Sequence, residues 1–93
     1  MGIGEKVYYL LEIAKSGKYS EKDMENIIEM TKETSDHPKL GKVFGYSVDE
    51  YAIATLKWLG EEEKFIKCYE ELSDYKKRRI DELIDSKCFN ELW

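Results

Sequence analysis

Proline and histidine occur once each in these 93 residues, cysteine twice and glycine six times. Each scarcity closes off a class of chemistry. With His37 as the sole imidazole, neither a histidine-based metal set nor a serine–histidine triad with a spare base can be assembled. Cys68 and Cys88 stand twenty positions apart, which is neither a zinc spacing nor a secreted disulfide framework, and they read as reduced packing residues. Gly2 and Gly4 lie at the start of the chain, and no glycine is followed by the Lys-Ser or Lys-Thr pair of a phosphate loop. No uncharged run approaches the roughly 20 apolar residues of a membrane helix. The opening MGIGEKVYYLLEIAK lacks the basic start, long apolar stretch and small-residue cleavage site of a secretory leader. The expectation is a cytoplasmic chain without membrane association, metal or cofactor.

Carboxylate pairs are present. Asp49–Glu50 and Glu61–Glu63 could in principle do acid–base work. Both stand at helix starts, where acidic groups serve as caps and solvated charge favoured by the positive end of the helix dipole. No enzymatic activity is expected.

What the chain does have is the makings of a small core. Aromatics reach 13%, with two tryptophans and seven tyrosines, which argues against disorder. A domain this short buries about 60–65% of its unfolded surface. Residues 1–93 therefore read as one domain, and the periodicity is helical throughout. A first helix over about 4–16 places Val7, Leu10, Leu11 and Ala14 on one face and stops at Gly17. Ser20 caps a second helix that carries Met24, Ile27, Ile28 and Thr31 inward and ends near Thr34. Ser47 opens a third with the capping box S-V-D-E, an inner stripe of Val48, Tyr51, Ala52, Thr55, Leu56 and Leu59, and a stop at Gly60. A fourth follows Glu61–Glu63 with Phe65, Cys68, Tyr69 and Leu72 inside. A fifth, capped by Ser73, spans 74–86 around Ile80, Leu83 and Ile84, either separate from the fourth or continuous with it. The fold class expected is all-α, a compact antiparallel bundle of four to five short helices. Residues 35–46, SDHPKLGKVFGY, break the periodicity at Pro38, Gly41 and Gly45; Leu40, Val43, Phe44 and Tyr46 are apolar enough to pack as a single helical turn.

Charge is distributed unevenly. Twenty acids against fifteen bases leave a net −5, and residues 21–36 hold six acids against two lysines. The sign disfavours a phosphate backbone and favours a basic protein partner. A helix-turn-helix can be traced through YLLEIAKSGKYSEKDMENIIEM, but its second helix would present Glu21, Asp23, Glu25, Glu29 and Glu33 to the groove, the wrong sign. The only basic cluster, Lys76-Lys77-Arg78-Arg79, is flanked by acids, and pairing within its own helix is expected rather than nucleic-acid contact. An acidic helix beside the aromatics of 44–46 suits an interface: charges steer, rings anchor.

At these residues the chain resembles a family. SEKDMENIIEMTKETSDHP (20–38) is similar to the second helix of the colicin/pyocin nuclease immunity proteins, with a capping serine, an acidic amphipathic helix and an acid-His-Pro exit at the same separation. SVDEYAIATLKW (47–58) is similar to that family's last helix. Between them the family has a short helix with a Tyr-Tyr pair. Tyr46 stands at the second tyrosine, Gly45 at the first, and Lys42 replaces an aspartate. The resemblance covers about 7–65, and residues 66–93 have no counterpart. It implies a four-helix immunity fold with an additional C-terminal helix, and a toxin-immunity protein that binds and inhibits a cognate bacteriocin or polymorphic-toxin nuclease. The partner-binding residues it points to are Glu25, Glu29, Glu33 and Asp36 with Phe44 and Tyr46, while His37 would be a structural loop residue. Two other readings are open on the residues: a small acidic regulatory or phage-type inhibitor of another basic protein, and a helical homo-oligomeric assembly module docking through Phe89, Leu92 and Trp93. Monomer or weak dimer is the expected state.

Overall fold

A computed structural model describes residues 3–33, 42–43 and 46–86. Five helices run in order: α1 (Ile3–Ser16), α2 (Glu21–Met30), α3 (Val48–Trp58), α4 (Glu62–Tyr69) and α5 (Asp74–Ser86). The all-α expectation holds, and α4 and α5 are separate helices.

Local chemistry sets most of the boundaries. The Gly17 backbone at φ 71° accepts the left-handed turn that ends α1, and its N–H reaches the Ile13 carbonyl at 2.8 Å. Ser20 and Asp23 form a full capping box at the start of α2. The Asp23 N–H donates to Ser20 Oγ (3.1 Å) and the Ser20 N–H to Asp23 Oδ2 (3.0 Å). Ser73 caps α5, accepting from the Lys76 N–H at 3.3 Å, and the reversal over Glu70–Ser73 divides α4 from α5.

Two boundaries differ from expectation. α2 ends at Met30, several residues before Thr34. There the Thr31 hydroxyl donates to the Ile28 carbonyl (2.6 Å), while the Lys32 and Glu33 N–H groups bond three residues back, to Glu29 and Met30. The last turn has tightened, and the α-helical ladder stops. The helical turn expected within 40–46 is also not what the described part of that segment forms. Lys42–Val43 (β1) and Tyr46–Ser47 (β2) pair as antiparallel strands in the register Lys42↔Ser47, Val43↔Tyr46. Leu40 and Phe44 lie outside the described residues.

α3 is the axis of the molecule. The other four helices pack on it, and every residue from Val48 to Leu56 is buried. A single inner stripe had been expected there. The polar positions between the apolar ones, Asp49 and Glu50 included, are covered as well because α4 and α5 close over the opposite side. Around α3 sit Leu10 and Leu11 of α1, Ile27 of α2, Phe65 of α4 and Ile80 and Leu83 of α5. Truncating any one of the fully buried leucines or isoleucines to alanine costs about 2–5 kcal/mol. The Trp58 indole N–H donates to the Ile84 carbonyl at 3.2 Å and ties the end of α3 to that of α5.

Candidate functional site

Two charged groupings stand out, one buried and one exposed. The buried one joins the start of α3 to the middle of α5. Asp49 and Glu50 are 2% and 1% exposed. Glu50 accepts from Arg79 through Nε at 2.7 Å and Nη2 at 3.0 Å, a two-point pairing, and from the Ser47 N–H at 2.9 Å. Asp49 accepts from Lys76 Nζ at 3.2 Å, and the Ser47 hydroxyl lies within reach of both carboxylates. The Arg79 guanidinium also lies 5.0 Å from the ring centre of Tyr46 and 5.6 Å from that of Tyr75. Burial pushes the Glu50 carboxyl up, but hydrogen bonds from Arg79 and the Ser47 backbone, with the nearby Lys76 charge, outweigh it and hold the group below its ordinary value. The Glu50 hydrogen bond raises Arg79.

This corrects two expectations. Glu50 does cap α3, as expected of a helix-start carboxylate, but neither it nor Asp49 is solvated, and the cationic run of α5 does not spend Lys76 and Arg79 on pairs within its own helix. Both are committed to carboxylates 27 and 29 residues earlier in the chain. The available signal was the spacing: Lys76 and Arg79, three apart, share the face of α5 that also carries Ile80 and Leu83.

The exposed grouping is on α2. Glu21, Glu25 and Glu29 recur every four residues and form one acidic ridge along the helix, about 12 Å from end to end at 1.5 Å per residue. Glu25 faces Lys22 at 3.9 Å with both side chains more than 70% exposed, a contact too loose and too wet to neutralise it. Glu21 and Glu29 have no hydrogen-bond or ion-pair partner among the described residues. Glu33, at the next step of the pattern, is drawn to α1, where Lys6 Nζ holds it at 2.6 Å.

Of the residues expected to contact a partner, the structure thus presents Glu25 and Glu29 together on the ridge, with Glu33 at its end in a pair with Lys6. Tyr46 is half-buried on β2, edge-on to Tyr51 with ring centres 6.0 Å apart and with Arg79 over its ring. Asp36 and Phe44 lie outside the described residues, as do His37, Cys88, Phe89, Leu92 and Trp93. Glu21, which the resemblance does not point to, shares the ridge through its i, i+4, i+8 relation to Glu25 and Glu29, a spacing visible in the sequence.

Among the described residues, no group of three or more His, Cys, Asp or Glu side chains could hold a metal ion, and no helix is long and apolar enough to cross a membrane. Comparison of the chain with family models, with curated proteins and with solved structures finds no match.

Proposed function

We propose that this chain is a non-catalytic inhibitor that binds a basic protein through the acidic ridge of α2. In the specific form implied by its resemblance to nuclease immunity proteins, it is a cytoplasmic toxin-immunity protein that inhibits a cognate bacteriocin or polymorphic-toxin nuclease. The observation that carries the proposal is energetic. Glu21, Glu25 and Glu29 repel one another at i, i+4 spacing, which disfavours the helix by about 0.2–0.5 kcal/mol per pair. Glu29 also stands in the last turn of α2, which contains no basic residue and where the dipole favours cations by about 0.3–1 kcal/mol. Glu21, in the first turn of α2, is favoured by the helix dipole, but Glu25 and Glu29 gain no such compensation from the fold. A cationic surface docked on the ridge would turn each of them favourable and would be steered there by the same charges.

Ridge and scaffold are separable in this arrangement. Lys76 and Arg79 of α5 are held at Asp49 and Glu50, and among the described residues Lys22 alone stands within ion-pair reach of the ridge, which stays net negative.

The direct test is inhibition of the nuclease encoded beside this chain's gene, titrated with wild type and with Glu25→Lys/Glu29→Lys. The wild type should abolish activity at one equivalent, with association slowing as salt is raised. The double variant should bind at least tenfold more slowly and lose most of that salt dependence. Equal inhibition by both chains would remove the ridge from the mechanism, and no inhibition by the wild type would remove the immunity reading.

A further inference from the structure

Helices α2 and α4 both pack on α3, and a cleft lies between them. Its floor is apolar. Ile53 of α3, 2% exposed, lies at the bottom, with Ile28 of α2, Cys68 of α4 and Leu72 beyond it along the sides. The cleft holds ≈ 650 Å³, within the range of about 300–1,000 Å³ typical of small-molecule sites.

The rim has the opposite sign to the protein as a whole. Lys32 rises from the α2 side, and Lys64 and Lys67 from α4. Lys64 shares its charge with Glu61 at 3.3 Å, but the ammonium groups of Lys32 and Lys67 have no partner among the described residues. Glu71, four residues after Lys67, is the one carboxylate in the lining. In a chain of net charge −5, two unpaired ammoniums on opposite walls of an apolar cleft form a local cationic mouth. Lysine stems add apolar length to the walls while their heads stay in water.

We infer that this cleft binds a single-chain amphiphile with an anionic head, of the fatty-acid type. The acyl chain lies over Ile53 between Ile28 and Leu72, and the carboxylate meets Lys32 and Lys67. A protein partner fits less well. The apolar floor is confined to Ile28, Ile53, Cys68 and Leu72, without the broad buried apolar centre around which a protein interface is built. An acyl chain needs only the apolar floor of the open cleft, and its affinity rises roughly fourfold for each methylene buried.

The thiol of Cys68 supplies a reporter inside the cleft. In a Cys88→Ser chain, alkylation of Cys68 by a small maleimide is followed with and without dodecanoate, below the concentration at which it forms micelles, alongside calorimetric titration. The expected result is saturable one-to-one binding that slows alkylation. Decanoate should bind roughly 16-fold more weakly, and Lys32→Glu/Lys67→Glu should weaken dodecanoate at least tenfold with an unchanged thermal midpoint. Equal binding of dodecyltrimethylammonium, non-saturable uptake, or an unprotected Cys68 would overturn the inference. So would a dimer in sedimentation that dodecanoate fails to disperse, or binding to phosphatidylglycerol vesicles without binding of free dodecanoate.

Discussion

Replacing Arg79 with alanine would strand a carboxylate inside the protein. The Glu50 side chain is 1% exposed, and two of its hydrogen bonds come from the guanidinium. In the variant it keeps only the Ser47 N–H and hydroxyl and the more distant charge of Lys76. Removing one partner of a buried pair costs about 3–5 kcal/mol, because the other charge stays behind without compensation. Arg79 itself is 19% exposed, so some water reaches the pair and the lower end, about 3 kcal/mol, applies. A domain of this length has about 5–14 kcal/mol in all. At about 4–8 °C per kcal/mol, the Tm should fall by about 12–24 °C. Urea unfolding followed by far-UV circular dichroism at neutral pH measures the loss. Two companion chains sharpen the reading. Glu50→Gln/Arg79→Ala should be less destabilised than Arg79→Ala alone, since no charge is then buried, and Arg79→Lys should fall between wild type and alanine because it keeps the charge but not the fork. A loss below about 1 kcal/mol for Arg79→Ala, or strict additivity in the double variant, would refute the buried-pair account.

Other outcomes follow from the same geometry. Glu29→Lys should raise stability by about 0.3–1 kcal/mol by removing a like-charge neighbour and complementing the α2 dipole; Glu33→Lys should lower it by up to about 1 kcal/mol, since it sets a second cation against Lys6. Urea midpoints of the two chains should therefore move in opposite directions. Glu50 also governs acid stability: its folded value lies below the ordinary 4.5, so its contribution is complete above pH 4.5 and is lost as pH falls through the folded value. Below pH 4.5 the wild type should lose stability more steeply than Glu50→Gln, read from melts across an acid series. Gly60→Ala should cost about 1–2 kcal/mol although nothing lies within 4 Å of the added methyl, because φ at that position is +80° and the penalty is in the backbone.

Helix starts and stops were legible in the sequence because their causes are local. Ser20, Ser47 and Ser73 act within three residues of themselves, and Gly17 and Gly60 act through their own backbones. The strand pair was not legible, since two residues on each side are too short to show alternation. The early end of α2 depends on a hydroxyl at Thr31 turning back on its own helix, which periodicity does not register. Most hidden was the environment of Asp49 and Glu50. Their identity suited a helix start, and only the packing of α5, a full helix later, determines whether they meet water or Arg79. For the ridge the case is reversed: Glu21, Glu25 and Glu29 were visible as a pattern, and what the structure added is that nothing in the described fold neutralises the first and last of them.

The clamp between α3 and α5 also bears on how this chain comes into being. Synthesis is vectorial, and α3 leaves the ribosome well before α5 exists. Without Lys76 and Arg79, burying Asp49 and Glu50 would leave both carboxylates unpaired, which disfavours closing the start of α3 against α1 before α5 is present. The helices before α5 are therefore expected not to close around α3 by themselves. A chain ending at Leu72 should show helical far-UV dichroism with a flat near-UV signal, the mark of a collapsed state without fixed packing.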